Sequence, residues 1–231
     1  LYAFVRGLEN RRWLFPAGLL LGVAFAFRHD MSIYLMATIT LVSALFAVVN
    51  KIAPLALARK LIPLAAGAAL IMLPVAAVFM AQVPLADLAR QLFIFPLTEF
   101  PRVRDLPYPE FKGSVENLPF YAPFLIYGLA LIVALLRMWR PSDADDRGRA
   151  LAMVAMALFG FFGFNQARVR SDLIHTVHFF VLAMALLPAL FRGLPQNLSR
   201  AARVPSFVLS MVALTIMLAL FTLAVGLYPQ P

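Results

Sequence analysis

Seven long runs of apolar residues that contain no Asp, Glu, Lys or Arg dominate this sequence. They are 15 to 23 residues long and lie near 13–27, 31–49, 61–83, 119–136, 150–164, 173–190 and 206–227. A bilayer core of about 30 Å takes roughly 20 apolar residues of helix, and lipid accepts only helices or closed barrels. Barrel strands would alternate in hydrophobicity over about 10 residues, and these runs do not. The runs predict an all-α, polytopic membrane helix bundle with about seven transmembrane helices and short cytoplasmic loops.

The start of the chain reads as the end of an earlier helix. Five residues, LYAFV, precede the basic stretch RGLENRR, and no charged region of a signal peptide comes before the apolar residues. We expect residues 1–12 to be the tail of an earlier helix followed by a basic cytoplasmic loop. The range 1–231 is then a single transmembrane domain, the later part of a longer chain. Cysteine is absent, which excludes disulfides and thiolate chemistry but not zinc bound by His and carboxylate.

The basic residues divide unequally between the alternate connections of the predicted bundle. Thirteen fall in one set of connections and seven in the other, and the positive-inside rule assigns the larger set to the cytoplasm. The formal net charge of +9 is therefore a topology signal. A nucleic-acid footprint would form one basic face, whereas these charges are divided among short loops, so nucleic acid is not expected as a partner. The expected partner is the lipid bilayer, and the sequence identifies no protein partner.

The outer side is predicted to hold one long connection, residues 84–118. It opens with PLADLARQLFIF, whose apolar residues share one helical face and indicate a short interfacial helix. The rest contains Pro96, Pro101, Pro107 and Pro109 among charged and aromatic residues, which predicts an ordered loop without a long helix. We expect this loop to line a substrate path, although a simple connector has the same composition.

The outer side also receives all three histidines and two clusters of ionisable residues. Arg28, His29 and Asp30 form a three-residue connection between two apolar runs. A fixed cation beside a titratable imidazole suits the binding of an anionic lipid head group. The simpler interpretation is an interfacial turn in which Arg28 pairs with Asp30. Both predict a position at the outer membrane surface.

The second cluster lies around the start of the helix predicted for 173–190. It comprises Arg168, Arg170, Asp172, His175 and His178. Such residues at a helix start can bind phosphate, move a proton, hold a metal or merely decorate the interface. Zinc-binding helices favour His at i and i+4, whereas these His are at i and i+3, so a divalent metal has weak support and no cofactor is expected. Phosphate binding is the preferred hypothesis.

Two stretches resemble parts of the C-type membrane glycosyltransferases. This polyprenyl-phosphate-sugar-dependent group includes protein O-mannosyltransferases and lipid A aminoarabinose transferases. In residues 11–37, RRWLFPAGLLLGVAFAFRHDMSIYLMA, a basic loop precedes an apolar helix similar to the group's GLxLGLAxLT helix, which ends in Lys or Arg near the lipid phosphate. The stretch 166–190, QARVRSDLIHTVHFFVLAMALLPAL, is similar to a later part of uncharacterised members.

The resemblance implies transfer of a sugar from a polyprenyl-phosphate donor to an acceptor on the outer face of the cytoplasmic membrane. Arg28, with Arg168 or Arg170, would neutralise the leaving phosphate. The group's catalytic acid lies in a first outer loop, and no matching loop occurs here, so the catalytic residue is unknown within this chain.

A membrane transporter or flippase for an anionic or lipid-linked substrate is the alternative function. In a transporter, Arg28, Asp30, Asp172 and the histidines would form a proton or anion relay. Transporter sites usually lie near the bilayer midplane, whereas these residues flank apolar runs. A purely structural or assembly subunit is a third possibility, for which changes of the outer charges would have no effect on activity.

Overall fold

The computed structural model describes residues 1–99, 110, 118–139, 144–169 and 173–191, and the regular structure among them is helical, with no strand. The helices are α1 (Tyr2–Glu9), α2 (Leu14–Phe27), α3 (His29–Val49), α4 (Pro54–Gln82), α5 (Leu85–Ala89), α6 (Leu118–Trp139), α7 (Ala144–Val169) and α8 (Leu173–Phe191). A 3-10 turn, Arg11–Trp13, precedes α2, and a π-helical segment, Arg90–Glu99, follows α5. The all-α prediction is confirmed for this part of the chain.

Four of these helices contain segments long and apolar enough to cross a membrane. They are Met31–Val49, Pro54–Gln82, Phe120–Trp139 and Asp146–Asn165. Helix α2 has 14 residues and spans only about 21 Å at 1.5 Å per residue. The apolar part of α8, Thr176–Leu190, is also short, and the predicted run 206–227 lies outside the described residues.

The chain forms two compact units. The first comprises residues 1–105 and 135–155, and the second comprises 106–134 and 156–231.

In the first unit, α2 packs against α4 with almost no side chain between the two backbones. A methyl group at Gly18 would overlap the carbonyl oxygen of Leu64, and one at Gly22 would lie 2.9 Å from the carbonyl oxygen of Ala68. From the other side, a methyl group at Gly67 would overlap the carbonyl of Phe15. The spacing of Gly18 and Gly22 is the small-xxx-small pattern that lets membrane helices approach closely.

The same contacts fix the direction of α2 relative to α4. Gly18 lies beside Leu64, and Gly22, one turn later, lies beside Ala68 and Ile71. Helices α2 and α4 therefore run parallel. Helix α3 runs in the opposite direction, from the end of α2 back to the start of α4. Arg28 consequently lies at the end of this unit opposite the start of α4.

Residues 1–12 contain more helix than the sequence indicated. Helix α1 continues to Glu9, through residues predicted as a loop, because Phe4, Val5 and Leu8 are buried on one of its faces. The side chain of Asn10 then accepts hydrogen bonds from the backbone N–H and the Nε of Arg12. The expected basic loop is instead a helical turn followed by a 3-10 turn.

The stretch 85–99 is helical, as predicted, but it extends beyond the expected limit. It passes through Pro96 as a π-helical segment that ends at Glu99, where an ion pair of 3.3 Å joins Arg90 to Glu99. Leu85, Phe93 and Ile94 stay exposed along it. The stretch thus leaves apolar side chains uncovered, as an interfacial helix requires.

The second unit is built on aromatic packing among α6, α7 and α8. Tyr127 is fully buried and donates a hydrogen bond to the carbonyl of Phe179, and its ring lies against Gly160. Phe124 packs edge-on against Phe161 and Phe164, with ring centroids 5.8 Å and 4.4 Å apart. A methyl group at Gly163 would overlap the Phe179 ring, so small residues of α7 make room for the aromatic rings.

Candidate functional site

Arg28 forms a one-residue break between α2 and α3. Its φ and ψ of −145° and 76° interrupt the helical backbone. Its N–H still bonds the carbonyl of Ala24 at 2.7 Å, and its own carbonyl accepts from the backbone N–H of Ser32 at 3.1 Å and from the Ser32 hydroxyl at 3.0 Å. Ser32 is fully buried. Hydrogen bonds to Ala24 of α2 and from Ser32 of α3 thus fix the backbone at Arg28. The exposed Arg28 side chain therefore projects from a fixed backbone position.

The packing of α2 on α4 also sets the depth of Arg28. Gly22 lies beside Ile71, and Arg28 follows Gly22 by six residues, which places it level with about Ala77 of α4. Helix α4 continues to Gln82, roughly 7 Å farther along its axis at 1.5 Å per residue. Arg28 is thus recessed by more than one turn below the end of its neighbouring helix.

The neighbours of Arg28 in the predicted cluster begin α3. His29 is the first residue of that helix and is half-buried, while Asp30 is its second residue and its side chain is not among those described. The predicted three-residue connection, Arg28 to Asp30, is therefore a break at Arg28 alone, because the backbone of His29 and Asp30 already belongs to α3. The predicted pairing of Arg28 with Asp30 stays a prediction.

The second predicted cluster is only partly described. For Arg168, in the last turn of α7, and for His175, in the first turn of α8, the structure describes only the backbone. His178 is exposed, one turn after His175. Arg170 and Asp172 lie outside the described residues. The phosphate role of this cluster stays a prediction.

The opposite end of the first unit is strongly basic. The Arg11 guanidinium donates to the carbonyl oxygen of Arg59 at 3.3 Å, the Arg147 guanidinium approaches the Asn50 carboxamide at 3.5 Å, and a methyl group at Gly148 would lie 2.6 Å from Glu9 Oε1. These contacts bring together the start of α2, the α3–α4 turn and the start of α7. The described Lys and Arg residues at this end are Arg6, Arg11, Arg12, Lys51, Arg59, Lys60, Arg137, Arg147 and Arg149.

Two clefts open at this basic end. One, of about 260 Å³, lies between α1 and α7 and is lined by Tyr2, Val5, Arg6, Glu9, Gly148, Arg149 and Ala152. The other, of about 570 Å³, is lined by Glu9, Arg11, Ala53, Leu55, Ala56, Arg59 and Lys60. Glu9 borders both clefts and forms an ion pair of 3.3 Å with Arg6.

The sequence interpretation missed these clefts because it used the basic residues only to assign topology. The signal available was the recurrence of Arg or Lys at the start of two apolar segments, Arg11-Arg12 and Arg59-Lys60. Because α2 and α4 are parallel, these two basic segments lie close together. The sequence alone does not show that α2 packs against α4.

In the part of the chain that the structure describes, no three His, Asp or Glu side chains come together as a metal site. No family model, curated protein or solved structure matches this chain.

Proposed function

We propose that this chain is part of a membrane glycosyltransferase that uses a polyprenyl-phosphate sugar as donor. In this proposal Arg28 binds the donor phosphate, and His29 lies beside it. The observation that carries the proposal is the recessed break at Arg28, which presents a guanidinium from a backbone held by Ala24 and Ser32. A cation at that depth suits the phosphate of a membrane-bound lipid better than a solute in bulk water.

The proposed chemistry breaks the bond between the sugar anomeric carbon and the phosphate oxygen and forms a bond from that carbon to an acceptor hydroxyl oxygen. The phosphate leaves as the polyprenyl-phosphate anion, and Arg28 stabilises the charge that develops on it. The acceptor proton goes to a carboxylate supplied from outside this chain. We further propose phosphate binding by Arg168, Arg170, Asp172, His175 and His178 of the second unit, and by Asp30 as a member of the Arg28 cluster.

The proposal includes a topology. About seven spans would place the basic end in the cytoplasm and Arg28 on the outer face of the cytoplasmic membrane. The gathering of the described Lys and Arg residues at the end of the first unit opposite Arg28 supports this orientation through the positive-inside rule. The exposed apolar side chains of the segment 85–99 support its placement at the outer interface.

The test measures transfer of sugar from polyprenyl-phosphate donors in membranes that contain the full-length protein. Arg28→Ala is expected to lower turnover at least tenfold, because a charge-assisted phosphate contact contributes about 1.5–3 kcal/mol. Arg28→Lys should retain part of the activity, since it keeps the charge but loses the bidentate geometry. His175→Ala tests the second cluster in the same assay.

Arg12→Ala is the matched control because it removes one arginine from the opposite end. Normal expression with equal turnover in wild type and Arg28→Ala would reject the phosphate role. Donor-independent uptake of an anion into vesicles that is lost in Arg28→Ala would favour the transporter alternative instead.

A further inference from the structure

The larger basic cleft has the chemical character of an anion site at the end of the first unit opposite Arg28. Its volume is about 570 Å³, and three cationic side chains, Arg11, Arg59 and Lys60, face one carboxylate, Glu9. It also takes in the first turn of α4, where the N–H groups of Leu55 and Ala56 come before the first helical hydrogen bond, from Leu57 to the carbonyl of Ala53. The excess of cations favours a ligand with negative charge.

A proline in α4 helps to hold the first cation in place. Because Pro63 has no N–H, it cannot donate the usual helical hydrogen bond to the carbonyl of Arg59, four residues earlier. The Arg11 guanidinium donates to that carbonyl at 3.3 Å. The contact orients the Arg11 side chain toward α4 and leaves other N–H groups of its guanidinium for a ligand.

A ring contact holds the second cation. The Lys60 ammonium lies 5.0 Å from the centroid of the Phe46 ring on α3. Such a cation–π contact restrains the lysine side chain without neutralising its charge. Arg11 and Lys60 are therefore both restrained by neighbouring helices, which lowers the entropic cost of binding an anion between them.

An apolar strip runs along α4 from this cleft. Leu55, which lines the cleft, is 64% exposed, Ile62 is 56% exposed and Leu73 is 66% exposed. Their spacings of 7 and 11 residues are close to whole turns of an α-helix, so the three side chains share one face. A basic cleft that leads into an exposed apolar strip matches a molecule with an anionic head and an apolar tail.

We propose that this cleft binds the headgroup phosphate of an anionic phospholipid, whose acyl chains extend along α4 from Ile62 toward Leu73. Arg11, Arg59 and Lys60 contact the phosphate, and Glu9 limits the affinity. The site lies at the opposite end of the first unit from Arg28 and does not depend on the glycosyltransferase proposal.

The test counts lipids retained by the purified full-length protein in detergent, by native mass spectrometry, after incubation with dioleoyl-phosphatidylglycerol or dioleoyl-phosphatidylcholine. Wild type should retain phosphatidylglycerol in preference to phosphatidylcholine. Removing one cation, in Arg11→Gln or Lys60→Gln, should weaken retention of phosphatidylglycerol about fivefold, and removing both should weaken it about 30-fold. Excess inorganic phosphate should displace little lipid, because it has no acyl chains to bind the strip.

Two further variants separate binding from folding. Glu9→Gln removes the carboxylate at the cleft and should raise retention of phosphatidylglycerol, a gain that a misfolded protein would not give. Arg12→Gln removes the neighbouring charge, which does not line the cleft, and should leave retention close to that of wild type. Equal retention of the two lipids by wild type, equal losses in Arg12→Gln and Arg11→Gln, or full displacement by inorganic phosphate would overturn the proposal.

Discussion

The hydroxyl of Tyr127 donates a hydrogen bond of 2.5 Å to the backbone carbonyl of Phe179, 52 residues later in the chain. The bond joins α6 to α8, and the Tyr127 ring passes close to Gly160 of α7. One buried side chain of α6 thus contacts both α7 and α8. Its removal should reveal how much that unit depends on specific contacts rather than on apolar burial alone.

Tyr127→Phe is expected to lower the stability of the second unit modestly. The change removes only the hydroxyl, and interhelical hydrogen bonds in membrane proteins contribute about 0.6 kcal/mol on average and up to about 1.7. Thermal unfolding of the purified protein in detergent should therefore show a small decrease in Tm. A loss of several kcal/mol would mean that the hydroxyl has further roles.

Gly160→Ala is expected to destabilise the same unit more than Tyr127→Phe does. The added methyl group would overlap the buried Tyr127 ring, and overpacking typically costs about 1–3 kcal/mol. Gly128→Ala is the matched control, because a methyl group there meets nothing within 4 Å. Combining Gly160→Ala with Tyr127→Leu should recover part of the loss. Equal Tm values for Gly160→Ala and Gly128→Ala would contradict the packing described here.

Gly18→Ala should separate α2 from α4. The added methyl group would overlap the backbone carbonyl of Leu64, which cannot move aside as a flexible side chain could. We expect a loss of about 1–3 kcal/mol and a lower yield of folded protein, measured by detergent unfolding and size-exclusion chromatography. Gly128→Ala again provides the control for replacing a helical glycine.

The absence of native cysteine allows the orientation of the chain to be mapped with single introduced cysteines. Lys51→Cys and Arg149→Cys should react from the same side of sealed vesicles with a membrane-impermeant maleimide, because both positions belong to the basic end. Asp87→Cys should react only from the other side. Labelling of Lys51→Cys and Asp87→Cys from one side would contradict the proposed topology.

Pro63→Ala is expected to stabilise α4 while weakening its contact with Arg11. Alanine supplies the missing N–H, which can bond to the Arg59 carbonyl and compete with the Arg11 guanidinium. The expected result is a higher Tm together with lower retention of phosphatidylglycerol, at unchanged net charge. Unchanged retention would mean that the Arg11–Arg59 contact does not orient the cation.

The sequence predicted the helices well but placed several ends too close to the apolar residues. The prediction for α4 began at 61, whereas the helix begins at Pro54 and includes Arg59 and Lys60. The prediction for α7 covered 150–164, whereas the helix covers Ala144–Val169. Hydropathy marks where lipid contacts the chain, but backbone hydrogen bonds determine where a helix ends, and charged residues do not interrupt those bonds.

Two tertiary features were not predicted although their signals were present. The Gly18–Gly22 spacing is a known mark of close helix packing, yet it does not reveal which helix is the partner. Pro63 leaves the Arg59 carbonyl without its helical donor, but the arginine that uses this carbonyl is 48 residues away in sequence. For the candidate site, the sequence indicated a three-residue connection from Arg28 to Asp30, whereas only Arg28 interrupts the helices and α3 begins at His29. Apolar runs could not show this, because charged residues can continue a helix.

The parallel packing of α2 and α4 has a consequence for biosynthesis. Helix α2 is shorter than a bilayer core is thick, and its partner is complete only at Gln82, 55 residues after Phe27. At a synthesis rate of about 5–20 residues per second, α2 leaves the ribosome roughly 3–11 seconds before α4 is complete. During that interval the glycine face of α2 has no α4 to pack against, and α3 must turn back before the pair can form.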